Sequence, residues 1–143
     1  MSESIWIKLH TTIDDGGEKE YHVTTQSGII YRRNNMHVLM FEEQLGHDET
    51  VKNLITIVPE KEHVSIKRSG SVSMNQKFIK HQLTENVFQH PHGSFHMETF
   101  TKTMDYQLTA SKSKLNIEYT VKLNGQKERN HSLSLVYKLQ NPS

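Results

Sequence analysis

Lys114-Leu115-Asn116-Ile117-Glu118-Tyr119-Thr120-Val121-Lys122-Leu123-Asn124-Gly125 is the stretch that decides the fold. Apolar side chains at 115, 117, 119, 121 and 123 alternate with Asn116, Glu118, Thr120 and Lys122. Successive side chains of a strand leave on opposite faces, so this run makes one dry face and one wet face. Antiparallel sheets show that pattern, whereas parallel strands are covered on both sides and read as continuous apolar runs. Asn124-Gly125 then supplies the positive φ angles of a tight hairpin turn. Beyond it Leu133, Leu135, Tyr137 and Leu139 alternate with Ser132, Ser134, Val136 and Lys138.

The same rhythm runs back through the chain. Ile5, Ile7, Leu9 and Ile13 alternate with Trp6, Lys8, His10 and Thr12. Turn residues punctuate the runs at Asp14-Asp15-Gly16-Gly17, Ser27-Gly28, Asn34-Asn35, Gly46-His47-Asp48, Val58-Pro59-Glu60, Ser69-Gly70, His90-Pro91-His92-Gly93 and 110–114. Strands are expected at 4–14, 18–25, 28–33, 36–44, 50–58, 62–68, 71–75, 84–90, 94–109, 114–123 and 127–139. The stretch 76–85 reads equally as a short helix or another strand, and no other segment carries a 3.6-residue period. Many strands joined by short turns must dispose of exposed edges, and closure into a barrel does so. The long last strands favour that solution over a two-sheet sandwich, because long tilted strands wrap around a barrel. The expected fold is an all-β, antiparallel up-and-down barrel, one domain over 1–143.

Composition narrows the function classes. The 143 residues suffice for one core, and the chain has no cysteine, which excludes disulfides, thiolate metal sites and cysteine nucleophiles. Met1-Ser2-Glu3-Ser4-Ile5-Trp6-Ile7-Lys8 lacks the basic start and apolar run of a secretory signal, and no segment has the roughly 20 apolar residues of a membrane helix. A cytoplasmic protein with no membrane partner is therefore expected. With 17 Lys+Arg against 16 Asp+Glu, the net charge of +1 argues against nucleic acid as a partner.

From Phe41 onward the pattern becomes specific. Phe41-Glu42-Glu43, Thr56-Ile57, Val64-Ser65-Ile66-Lys67-Arg68-Ser69-Gly70, Met74, Phe78, Phe88-Gln89-His90-Pro91-His92-Gly93, Met97-Glu98-Thr99, 117–121 and Asn130-His131-Ser132-Leu133-Ser134-Leu135 follow in order and spacing. In this the chain resembles the YwiB-like β-barrel family of bacterial proteins, over about two-thirds of its length strongly and over the first forty residues loosely. The resemblance implies a lipocalin-like (calycin-type) cytoplasmic barrel without assigned catalytic residues. The family tends to carry Tyr-x-Thr-Pro-Tyr-Gly where this chain has 88–93.

Few residues suggest chemistry. Glu43 shares a face with Leu39 and Phe41, and Arg68 with Val64 and Ile66, so alternation aims both charges at the interior. Two opposite charges there should pair, either as a structural ion pair or as an anchor for a ligand. Thr99, Tyr106 and Tyr119 join them as candidate ligand contacts. The aromatic side chains Phe95, Phe100 and Tyr137, with Met74, Met97 and Met104, are candidate cavity walls or core filler. His90, His92 and His96, with Glu98 on the His96 face, are weak candidates for a metal: the carboxylate spacing misses the cupin motif, and Pro91 indicates a turn. Haem held by one of the ten histidines is an unspecific option, and no cofactor is expected. No Gly-x-Ser-x-Gly elbow or phosphate-binding glycine loop is present. Three readings stand: a non-enzymatic binder of a small, mostly apolar molecule in the barrel; an interaction or assembly module, with Trp6 exposed and oligomerisation open; and an enzyme using His92 or His96 at the barrel mouth.

Overall fold

In the computed structural model, residues 2–109 and 112–140 are described. The chain makes ten antiparallel strands: β1 (Ser2–Asp15), β2 (Glu18–Arg33), β3 (Met36–Gly46), β4 (Glu49–Val58), β5 (His63–Gly70), β6 (Met74–Ile79), β7 (Leu83–His90), β8 (Gly93–Leu108), β9 (Lys112–Leu123) and β10 (Arg129–Leu139). One 3-10 turn, Pro59–Lys61, is the sole helical element among the described residues. The strands lie in the order β6-β5-β4-β3-β2-β1-β10-β9-β8-β7. Every spatial neighbour is a sequence neighbour except β1 and β10, so this is an up-and-down barrel.

The two outermost strands, β6 and β7, are consecutive and meet at a seam. There Ser73 and Gln89 exchange both main-chain hydrogen bonds, at 2.9 and 2.8 Å. The Thr84 hydroxyl donates to the Lys77 carbonyl at 2.6 Å, and the His81 amide donates to the Thr101 carbonyl at 2.8 Å. The barrel is thus closed there by a few stitches instead of a full ladder, and the β2–β3 ladder is also partial, running only from Ile29–Met40 to Arg33–Met36.

Inward residues follow the alternation. Ile5, Ile7, Leu39, Ile55, Val64, Phe78, Leu115, Ile117 and Leu135 are fully buried and form one continuous cluster. Each such side chain contributes roughly 1.5–3 kcal/mol of burial free energy. The barrel interior is therefore a packed core through most of its length. One end carries the turns at 34–35, 59–62 and 80–82, the other the turns at 16–17, 47–48, 71–73, 91–92 and 124–128.

Three expectations need correction, and the open choice at 76–85 falls to strand. Ser27-Gly28 is not a turn: β2 runs straight through it. Gly28 is there because a side chain would not fit, since a Cβ would stand 2.6 Å from the Met40 carbonyl oxygen and 2.8 Å from Ile7 Cδ1. Residues 76–85 are not a helix but the end of β6, a short link and the start of β7. The Asn124-Gly125 turn forms with φ of 50° and 70°, yet pairing resumes only at Val121–Arg129. Asn124 is bound to β8 instead, donating to the His96 carbonyl at 2.8 Å and accepting from the His96 amide at 2.7 Å. Phe100 lies on the outer face and is partly exposed, so it walls no cavity. Of the turn expected at 110–114, Ala110 and Ser111 lie outside the described residues.

Candidate functional site

The interior holds three polar groupings, stacked from one end of the barrel to the other. At the first end, β3 brings Glu43 inward beside β4 and β5. Its carboxylate accepts from Asn53 Nδ2 at 2.8 Å, from the Thr24 hydroxyl at 3.3 Å and from Arg68 Nη2 at 3.4 Å. Glu43 is buried and Arg68 half-buried. The expected pair therefore forms, and both carboxylate oxygens are engaged by the protein's own donors. That arrangement meets the desolvation penalty of a buried charge without a ligand.

In the middle, Gln76 Nε2 on β6 donates to the Thr99 hydroxyl on β8 at 2.9 Å. Tyr119 on β9 packs edge-on against Phe78, with ring centroids 4.7 Å apart, and lies 5.2 Å from the His131 ring. Burial pushes the Tyr119 phenol well above its ordinary range. Burial, helped by Arg129, lowers His131 to about 4, so this imidazole is neutral at pH 7.

The third grouping lies at the opposite end. Tyr106 of β8, Tyr137 of β10 and His37 of β3 converge on one point. The two phenolic oxygens are 2.5 Å apart, and His37 Nδ1 lies 2.8 Å from Tyr137 and 2.9 Å from Tyr106. Burial lowers His37, and Arg32 adds to this by charge repulsion. Burial and the bond with Tyr106 hold the Tyr137 phenol neutral. Arg32 itself is paired with Glu3 at 2.6 Å on the rim of this end.

Hydrogens cannot serve all three edges of that triangle. With Nδ1 unprotonated, the two phenolic hydrogens fill two edges and lone pairs face each other on the third. With a proton on Nδ1, that proton and one phenolic hydrogen fill two edges, and the other phenolic hydrogen is free to leave the triangle. Tyr106 also lines a cleft of about 220 Å³ beneath the 59–62 turn, whose apolar wall is Ile57, Val64, Met104 and Leu115. A neutral donor or acceptor thus borders an apolar recess, which is the composition of a small-molecule site.

The candidates read from the sequence are therefore dispersed. Glu43 with Arg68, Thr99 with Tyr119, and Tyr106 occupy three levels of the barrel, and only Tyr106 borders a recess. Tyr106 reaches the interior because of a bulge. Thr101 pairs with Tyr119 and Thr103 with Glu118, so Lys102 is an extra residue that shifts the alternation of β8. Strict alternation would have put Thr99 and Tyr106 on opposite faces. His37 was missed, although it shares the inward parity of Leu39, Phe41 and Glu43.

The histidine candidates do not converge either. His90 ends β7 and His92 occupies the turn, with rings 5.1 Å apart on the exposed surface. His96 lies apart from them, on the outer face of β8 with Glu85 and Glu98, their ligand-type atoms within 4.8 Å of one another.

With this geometry in view, comparison with known proteins places the chain. The profile described as "Domain of unknown function (DUF1934)" matches residues 7–135. The chain belongs to the DUF1934 family. It is 29% identical over 139 residues to the "Uncharacterized beta-barrel protein YwiB" of Bacillus subtilis (strain 168), covering 96% of each chain. The crystal structure of the ywiB protein from Bacillus subtilis superposes with a TM-score of 0.84 at 26% identity, over 98% of this chain and 94% of that one. The DUF1934 barrel seen here is thus shared with a solved relative, as the resemblance in the sequence implied.

Proposed function

We propose that this DUF1934 protein is a non-enzymatic, lipocalin-like binder of a small, mostly apolar molecule, held at the Tyr106 end of the barrel. The observation that carries the reading is the His37–Tyr106–Tyr137 triangle, whose surplus hydrogen-bonding capacity adjoins the 220 Å³ apolar cleft. A packed core fills the barrel below, which moves the ligand from the interior to the mouth. The volume equals that of about seven water molecules, at roughly 30 Å³ each, so the ligand is small: an aromatic ring or short chain with one polar group. Glu43 and Arg68 are structural in this reading, because each is already partnered. A cytoplasmic location is part of the proposal, supported by the absence of cysteine. No helix among the described residues is long and apolar enough to cross a membrane.

The test is ligand-observed NMR with a panel of small phenols, indoles and aliphatic alcohols, alongside shifts of the His37 imidazole. Saturable binding that moves His37 is expected, and Tyr106→Phe should weaken it about tenfold, the value of one hydrogen bond of roughly 1.4 kcal/mol. Binding that leaves His37 unmoved, or that Tyr106→Phe leaves unchanged, refutes the site.

A further inference from the structure

The outer surface of the barrel carries a belt of lysines that the net charge hides. On β9, β10 and β1, the outward residues Lys112, Lys138 and Trp6 lie side by side in register, as do Lys114, Val136 and Lys8 in the next row. A depression of about 440 Å³ runs among Trp6, Lys8, Lys112, Val136 and Lys138. A second depression, of about 810 Å³, continues it across β2 to β5, with Ile29, Met40 and Leu54 in its floor and Lys52 and Lys67 at its side. The two meet at β2, where Ser27 of the second is the register partner of Trp6 in the first. Along this path the outward side chains include the six lysines 8, 52, 67, 112, 114 and 138 against one acid, Glu42. Among the described residues, none of those lysines is in a salt bridge.

We propose that this belt binds single-stranded nucleic acid, with Trp6 as the base-stacking platform and the lysines as phosphate contacts. Seven adjacent strands at roughly 4.8 Å spacing give a path of about 29 Å, long enough for a short single strand. Trp6 is 47% exposed and Ile29 41%, so flat apolar surface alternates with cations, which is what stacked bases on a phosphate backbone require. Along the belt β1, β10, β4 and β5 are paired on both sides, while the β2–β3 ladder ends at Ile29–Met40, which confines strand addition by a peptide to that one gap. The belt wraps the outer wall of the barrel across seven of its ten strands, a curved path that a flexible single strand follows and a rigid duplex or a flat anionic membrane does not.

Trp6 is the only tryptophan in the chain, so intrinsic fluorescence reads this surface directly. Titration of the full chain with oligo(dT) of about twelve nucleotides should quench that fluorescence saturably. Anisotropy of the labelled oligonucleotide, followed between about 50 and 200 mM salt, should give a logarithmic slope near −3, as expected for about four phosphate contacts. Trp6→Ala should weaken binding about tenfold or more, with Trp6→Phe retaining most of it. Lys8→Ala combined with Lys138→Ala should reduce the slope by about 1.4. Circular dichroism checks that these surface variants stay folded. Absence of quenching overturns the proposal. So does binding that Trp6→Ala leaves unchanged, equal affinity for a duplex of the same length, or preference for phosphatidylserine vesicles.

Discussion

At the scale of single residues, the buried polar groups separate by how completely they are partnered. Glu43 holds three donors, so removing it strands Asn53, Thr24 and Arg68 together. Removing Arg68 leaves a carboxylate that still has two. Glu43→Ala should therefore cost about 3 kcal/mol and Arg68→Met about 1 kcal/mol or less, measured by urea unfolding. Equal losses would show that the ion pair, and not the carboxylate's hydrogen bonds, holds this end together. His131 makes a second test. Its folded pKa of about 4 lies below the unfolded value of about 6.5, so the unfolded chain takes up a proton first as pH falls. Its stabilising effect is complete above pH 6.5 and is lost progressively down to about pH 4. His37 and His63, also lowered by burial, act in the same direction. His131→Phe keeps a ring against Tyr119 and removes the titration. The fall in stability between pH 7 and pH 5 should shrink by about 2 kcal/mol in that variant; an unchanged pH dependence would place the titration elsewhere.

At the scale of strands, alternation located faces reliably but did not show where the rhythm was interrupted. β9 and β10 were legible because their inward positions, Ser113 and His131 apart, are apolar or tyrosine. β2 was divided because Ser-Gly reads as a turn, whereas the glycine there answers to a neighbouring strand. No local signal distinguishes those two causes. The Lys102 bulge was equally silent, and with it the inward placement of Tyr106. The candidate site was legible only in pieces for the same reason: Glu43 and Arg68 follow from parity, but the meeting of His37, Tyr106 and Tyr137 depends on which strands become neighbours. Gly28→Ala tests the crowding argument. The added methyl meets backbone and a buried side chain, neither of which can move freely, so a loss of about 1–3 kcal/mol is expected. A urea midpoint equal to that of the parent protein would mean that β2 and β3 separate there without penalty.

At the scale of the whole molecule, the net charge of +1 misdescribes the surface. Acids gather at the hairpin tips, such as Asp14, Asp15 and Glu18, and around Glu85 and Glu98, leaving the belt around Trp6 cationic. Composition averages over a segregation that only the register reveals. The barrel itself was legible as a closed antiparallel sheet, yet the position of its seam was not, since nothing in the sequence of β6 and β7 says that they fail to pair fully.

The pairing of β1 with β10 has a consequence for connectivity. The Gln140 amide donates to the Ser4 carbonyl at 3.0 Å, so the first and last strands can be joined by a short linker. The chain can then be opened between Ile79 and Leu83, where the ladder is already interrupted. In such a circular permutant every laddered strand pair would be consecutive in sequence, and the one remote pairing, Ile5 with Leu139, would become local. Contact order falls, so stopped-flow refolding of the permutant should be faster than that of the parent. An unaltered rate would mean that β1 and β10 meet only after the barrier to folding has been crossed.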